Sequence, residues 1–247
     1  MNEFERCFNE HQGRKVSKWK HYLSIYDRHF ARYRGTDVHV LEIGVNHGGS
    51  LQLWREYFGP KARLFGVDVN PHCMAFEEPG TKIFIGDQGD RAFLESLAAQ
   101  VPRIDILIDD GGHTMAQQIA TCEMLLPRVA PDGVYLCEDV CTSYWHKYGG
   151  GIGKRGSFIE HSKKLIDALN AWHSEAPARL AVSDFTRSTR SISYYDSVVV
   201  VERGPATKME EVTAGTATVA DFHPPTSGWK ATRQKAERAV KRLVGRG

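Results

Sequence analysis

The chain has 247 residues, enough for one large α/β domain with a substantial core, and its 41% hydrophobic content is ordinary for a globular protein. No apolar run approaches the ~20 residues of a membrane span, and the start, MNEFERCFNEHQGRK, lacks the apolar centre of a secretory signal, so a cytoplasmic protein is expected. The net charge of +2 is unevenly spread: residues 226–247 hold seven Lys or Arg and one Glu, so only the tail is basic and no nucleic-acid partner is expected for the body. Residues 14–34 read as a helix with Tyr22, Tyr26, His29 and Tyr33 on one stripe, within an N-terminal helical segment, residues 1–35. Strands are expected at 37–44, 62–69, 81–87, 104–110 and 132–139, separated by helical patterns at 50–58, 91–101 and 114–129. Such alternation implies parallel pairing with right-handed crossovers.

A further helix is expected at 157–173. The segments RLAVSDF (179–185) and SISYYDSVVVVE (191–202) follow with no helix between them, and read as an antiparallel pair closing one edge of the sheet. The main domain therefore runs over 36–203. Residues 204–228, rich in Gly, Pro, Thr and Ala, read as a linker, and 229–247 as a basic amphipathic helix or tail. That tail suits either an anionic membrane surface or a plain solvated or subunit contact. The five scattered cysteines, Cys7, Cys73, Cys122, Cys137 and Cys141, lack metal or CxxC spacing and read as free thiols.

Ligands of open α/β sheets bind beyond the carboxyl ends of the strands. The first such end is VLEIGVNHGGS, whose Gly44-x-x-x-Gly48-Gly49 spacing departs from the G-x-G-x-x-G of dinucleotide binders. Glu42 at that end repels a pyrophosphate and welcomes an ammonium. Asp68 ends the second strand, where an acid accepts ribose hydroxyls. Asp87 and Gln88 end the third, placed for an adenine edge. Glu42, Asp68 and Asp87 in register suit a nucleoside carrying an amino acid and no phosphate, which is S-adenosylmethionine. Gly44, Gly48 and Ser50 complete the expected cofactor loop. Taken singly, the glycines read equally well as a tight turn and Asp68 as a solvated strand end.

The fourth strand ends in Asp109-Asp110, the fifth in Glu138-Asp139. Four crowded carboxylates repel unless a cation intervenes, and all-oxygen ligands favour Mg²⁺, with Ca²⁺ or Mn²⁺ as substitutes. Side chains alternate along a strand, so the assignment is Asp110, Glu138 and Asp139 to the ion and Asp109 to support of the loop or cofactor. His113, three residues past Asp110 across Gly-Gly, is placed to take a proton from a hydroxyl held on the ion. Helix capping by the acids and a loop-binding role for His113 stay open beside this; Thr114 is a competing cap. Tyr144 and Trp145 follow the acids and suit stacking on a sugar ring or packing under a loop.

The segments LEIGVNHGGSLQLWREYF, FGVDVN, GDQGD, DILIDDGGHTMAQQ, LCEDVCTSYW and YYDSVVVVERG resemble the metal-dependent, S-adenosylmethionine-using sugar O-methyltransferases, which act on macrolide and rhamnosyl substrates, and the related cephalosporin hydroxylase-like proteins. The resemblance spans roughly residues 15–203. It implies a Rossmann-like class I methyltransferase fold with a seven-stranded, mostly parallel sheet and a reversed last strand pair. It also implies Mg²⁺ on Asp110, Glu138 and Asp139, His113 as base, and cofactor contacts from Glu42, Asp68 and Asp87. The implied partner is a saccharide or glycoside acceptor, and the implied assembly a homo-oligomer. Two other functions stay open: a hydroxylase-like oxidation in the same pocket, and a non-catalytic S-adenosylmethionine-binding module.

Overall fold

The computed structural model describes residues 1–220. Seven strands, β1 (His39–Ile43), β2 (Arg63–Asp68), β3 (Thr81–Ile85), β4 (Ile104–Asp109), β5 (Val129–Cys137), β6 (Thr189–Tyr195) and β7 (Val198–Arg203), form one sheet in the order β3-β2-β1-β4-β5-β7-β6. The pairs β1–β2, β2–β3, β1–β4 and β4–β5 are parallel, while β7 runs antiparallel to both β5 and β6. This is the Rossmann-like order with its closing pair reversed by a hairpin. Helices α1 (Glu3–Glu10), α2 (Tyr22–Phe30) and α3 (Gly49–Phe58) precede β2 in the chain; α4 (Arg91–Gln100), α5 (Met115–Leu125), α6 (Phe158–Leu169) and the single turn α7 (Asp184–Arg187) follow β3.

Alternation along the strands supplies two cores. Val40, Ile106, Ile108, Leu136 and Val200 face a layer built by α1, α2 and α3, with Phe4, Tyr26, Trp54 and Phe58 at its centre. Leu41, Ile43, Leu107, Tyr135 and Val199 face the other layer, against Leu94, Leu97, Leu125 and Phe158. Both faces of the sheet are thus covered, which is why its central strands are nearly continuous apolar runs.

Two expectations are corrected. The helix expected over 14–34 is shorter: α2 starts at Tyr22, and residues 11–21 run as an irregular strap. The strap is held by backbone–side-chain contacts instead of a helical ladder. Gln52 accepts from the Arg14 amide at 2.6 Å, and the Arg14 carbonyl meets His11 Nε2 at 2.8 Å. The segment 179–185 is not a strand. Ser183 caps α7 in a reciprocal pair with Thr186, and both strands of the hairpin come from 189–203. Residues 204–220 carry no helix or strand. The basic tail helix expected at 229–247 and the end of the linker lie outside the described residues. No helix among the described residues is long and apolar enough to cross a membrane. All five cysteines are free.

Candidate active site

The carboxyl ends of β1, β2, β4 and β5 align in register: Ile43 pairs with Val67 and Asp109, and Asp109 with Cys137. Side-chain alternation then sorts the acids. Asp109 falls on the α4–α5 face, where it accepts from Gln88 Nε2 at 2.6 Å and lies 3.5 Å from the Tyr135 hydroxyl. Gln88 in turn accepts from the Gly112 amide at 3.0 Å, so Asp109 is linked through Gln88 to the loop that carries His113. Burial pushes its pKa up to about 7 against the pull of the Gln88 hydrogen bond. Glu42 falls on the opposite face. It accepts from Ser50 Oγ at 2.7 Å and Trp54 Nε1 at 3.1 Å, and burial raises its pKa to about 7 although Lys18 lowers it.

A cleft of about 430 Å³ opens above β1, β2 and β4, bordered by Gly44, Asp68, Gln88, Asp110 and His113. Gly44 stands at φ +99°, and an added Cβ would overlap the Asp110 carbonyl; only glycine lets the two loops meet here. Asp68 Oδ2 accepts from the Val45 and Asn46 amides at 3.0 and 2.8 Å, while Oδ1 accepts from Asn70 at 2.9 Å. Oδ1 retains a lone pair for a further donor. Gly48 stands at φ +73° as the residue entering α3, and Gly49 is bare because the Arg14 and Lys15 carbonyls pass directly over it. Ser50 borders a smaller recess of about 110 Å³ under the strap. Asp87 is exposed and accepts from the Gly89 amide at 2.7 Å and from Gln117 Nε2, a lining residue, at 3.3 Å, without itself bordering the cleft.

Asp110, His113 and Asp139 offer ligand atoms that all lie within 4.8 Å of one another. His113 Nε2 faces Asp110 Oδ1 at 3.8 Å and Asp139 Oδ2 at 3.4 Å. Thr114 caps α5 in a capping box with Gln117, which frees the acids from that task. His113 and Asp139 both hold positive φ, 56° and 51°, a conformation that costs a non-glycine residue roughly 1–2 kcal/mol and clusters at functional sites. Two carboxylates face one small space with an imidazole beside them, and their oxygens fit a hard divalent cation.

Glu138 is not part of that cluster. Its buried carboxylate accepts from Lys18 Nζ at 3.0 Å on both oxygens and from the Tyr26 hydroxyl at 2.7 Å. Lys18 Nζ also reaches Asp110 Oδ2 at 2.6 Å. Burial pulls the Lys18 pKa down, but Asp110, Glu138 and Glu42 outweigh it and the net shift is upward, so the ammonium stays charged. Asp139 Oδ1 accepts from Trp19 Nε1 at 3.1 Å and the Tyr22 hydroxyl at 2.9 Å. Sequence reasoning misses Lys18 and Trp19 as site residues. Lys18 is one base among several in RKVSKWK, and nothing local marks which one turns inward. Tyr144 and Trp145 are exposed on the turn after Asp139, outside the cleft lining.

Residues 41–140 match the family model described as a methyltransferase domain. The chain is 35% identical over 191 residues to mycinamicin VI 2''-O-methyltransferase of Micromonospora griseorubida, covering 72% of this chain and 47% of the relative. It is 34% identical over 209 residues to 8-demethyl-8-(2-methoxy-alpha-L-rhamnosyl)-tetracenomycin-C 3'-O-methyltransferase of Streptomyces olivaceus, covering 81% and 53%. The MycE methyltransferase of the mycinamycin biosynthetic pathway, solved with Mg and SAH, superposes with a TM-score of 0.72 at 32% identity, over 81% of this chain and 53% of that one. The chain spans about half the length of these relatives. Over the lengths matched, the chain is similar to macrolide and rhamnosyl sugar O-methyltransferases, and residues 41–140 carry the match to a methyltransferase domain.

Proposed function

We propose that this protein transfers a methyl group from S-adenosylmethionine to a sugar hydroxyl of a glycoside natural product or surface polysaccharide, with Mg²⁺ on the aspartates of the Asp110–His113–Asp139 cluster. The observation that carries the reading is the adjacency of that cluster to a cleft shared by Gly44, Asp68 and Gln88, with Asp110 and His113 bordering both. Relatives named for methylation of macrolide and rhamnosyl sugars, and a neighbour solved with Mg, SAH and mycinamycin VI, support it.

In this reading Asp68 receives the ribose through Oδ1, while Gln88 and the glycine loop shape the rest of the donor cleft. Asp110 and Asp139 hold the ion. Glu138, expected as a third ligand, accepts hydrogen bonds from Lys18 and Tyr26. When bound, the ion supplies a lowered hydroxyl pKa and a fixed direction for the acceptor oxygen. His113 Nε2 is the base, since it is the ring nitrogen that faces the aspartates. The acceptor oxygen gains the methyl carbon as its bond to sulfur breaks, leaving S-adenosylhomocysteine, and His113 retains the proton. Trp19, at the rim beside Asp139, joins Tyr144 and Trp145 as an exposed aromatic suited to a sugar face. The reading also carries a cytoplasmic homo-oligomer, which fractionation and light scattering check.

The test is a product-mass screen with labelled donor on rhamnose-, mannose- and deoxysugar-bearing acceptors. Asp110→Asn and His113→Ala are expected to lose at least about a hundredfold in turnover, the usual worth of a positioned base, while S-adenosylhomocysteine still binds. Full turnover in His113→Ala would refute the base assignment, and transfer undiminished in chelator would refute the ion.

A further inference from the structure

The hairpin β6–β7 turns through Asp196 and Ser197, since Tyr195 and Val198 pair on either side of them. Ser197 stands at φ 62°, a left-handed conformation that hairpin loops normally fill with Gly, Asn or Asp. A serine there is strained, yet its polar groups are all engaged with the turn that follows Asp139. Ser197 Oγ accepts from the Cys141 amide at 3.0 Å, and the Ser197 carbonyl accepts from the Val140 amide at 2.9 Å. The Asp139 amide is taken by the Tyr22 hydroxyl at 3.2 Å. These three amides open the short 3₁₀ turn Val140–Tyr144, and Asp139 is the residue that enters it.

Amides at the start of a helical turn lack partners within it, and an aspartate at the entry is a favoured side chain to supply one. Asp139 makes no such bond; its carboxylate Oδ2 faces His113 Nε2 at 3.4 Å instead. An aspartate that caps its own turn takes an extended backbone, whereas Asp139 is held at φ 51° and ψ 36°, so the two roles exclude each other. We propose that Ser197 is a positioning residue: it caps the Val140–Tyr144 turn in place of Asp139, and so keeps the Asp139 carboxylate turned to the ion. This rests on the reading that Asp139 binds a divalent ion. Without the hydroxyl the Cys141 amide stands open. The Asp139 carboxylate, a near neighbour in the chain, is then the acceptor that local geometry offers it, and an oxygen so engaged is lost to the ion.

The experiment compares Ser197→Ala and Ser197→Gly with wild type. Mg²⁺ is titrated calorimetrically into the full chain saturated with S-adenosylhomocysteine, and melting temperature is measured alongside. Both variants lose the acceptor, so both are expected to raise the Mg²⁺ Kd by about tenfold or more, the scale of removing a group that orients a metal ligand. Affinity for S-adenosylhomocysteine is expected to be unchanged. Glycine alone relieves the strain at φ 62°, so Ser197→Gly is expected to melt no lower than Ser197→Ala while binding Mg²⁺ as poorly. A merely structural Ser197 would make affinity follow stability, with Ser197→Gly the better binder. That result, or a Kd unmoved in both variants, overturns the proposal. Should Ser197→Ala fail to fold, the Mg²⁺ Kd of Ser197→Gly decides. A wild type that binds no divalent ion overturns the proposal together with the metal reading. Mg²⁺-dependent methyl transfer with an unmoved Kd would sink only the role of Ser197. Weakened Mg²⁺ binding in the variants of a protein that methylates no sugar would sink only the proposed function.

Discussion

His113 and Asp139 sit on loops whose backbones are held at positive φ. The loops are forced there because the chain must turn at the strand ends while aiming Nε2 and Oδ2 at one point. Gly112 is pinned through Gln88, and the single Thr142 Oγ1 proton is shared between the His113 and Asp139 carbonyls, at 3.0 and 2.8 Å. One hydroxyl thus ties the two strained residues together. Strain of this kind is relieved by glycine and not by alanine. His113→Gly is therefore expected to be as stable as His113→Ala or more so, by up to about 1 kcal/mol, although both lose the imidazole. Urea unfolding of the two variants decides it. A clearly more stable alanine variant would mean that the loop relaxes out of the left-handed region once the ring is gone.

At the scale of elements, the parallel strands and the acids at their ends were legible because both obey short periodicities. Alternation even predicted that Asp109 and Asp110 part company, and Asp109 does turn to Gln88. What escaped was non-local. Helix α1 falls inside the helical segment expected over 1–35, with Phe4 and Cys7 as its buried residues. The strap's composition favours a helix, while its conformation is set by Gln52, Asp110 and Asp139, distant in sequence. The apolar residues of 179–185 favour a strand, yet the Ser183–Thr186 cap wins locally. Glu138 shows the same limit, since its partner Lys18 lies 120 residues away. Phe4 is the keystone of the layer that carries the strap, with its ring 4.9 Å from those of Tyr26 and Trp54. Phe4→Ala is expected to cost about 3–5 kcal/mol in urea unfolding. A cost below ~1 kcal/mol would show that α1 is not part of the cooperative unit.

Over the whole described unit, burial works on acids and imidazoles in opposite senses. Glu42 and Asp109 have pKa values raised to about 7, chiefly by burial. A raised carboxyl stabilises the fold fully below its unfolded pKa, and that contribution is lost as pH rises through 7. His29, His39 and His161 have lowered pKa values, again chiefly by burial. Here the unfolded imidazole, near 6.5, takes up a proton more readily than the folded one. Their contribution is fully present above about 6.5 and is lost as pH falls toward the folded values. The two sets oppose each other across the same window, so the stability of the intact protein changes less with pH than either set alone would dictate. Differences between wild type and single variants separate them, because groups common to both cancel. His161 is suited to this, lying on α6 with Glu123 at 3.8 Å and away from the ion cluster. His161→Gln lacks the titration, so the stability of wild type relative to the variant is expected to decline as pH falls from about 7 to 5. His29→Gln is expected to show the same sign, softened because protonated His29 gains Glu202 at 3.2 Å. Urea titrations at pH 5 and 7.5 measure both. A wild-type-minus-variant difference that stays constant over that range, or grows toward acid, would mean that these imidazoles are not held neutral by their surroundings.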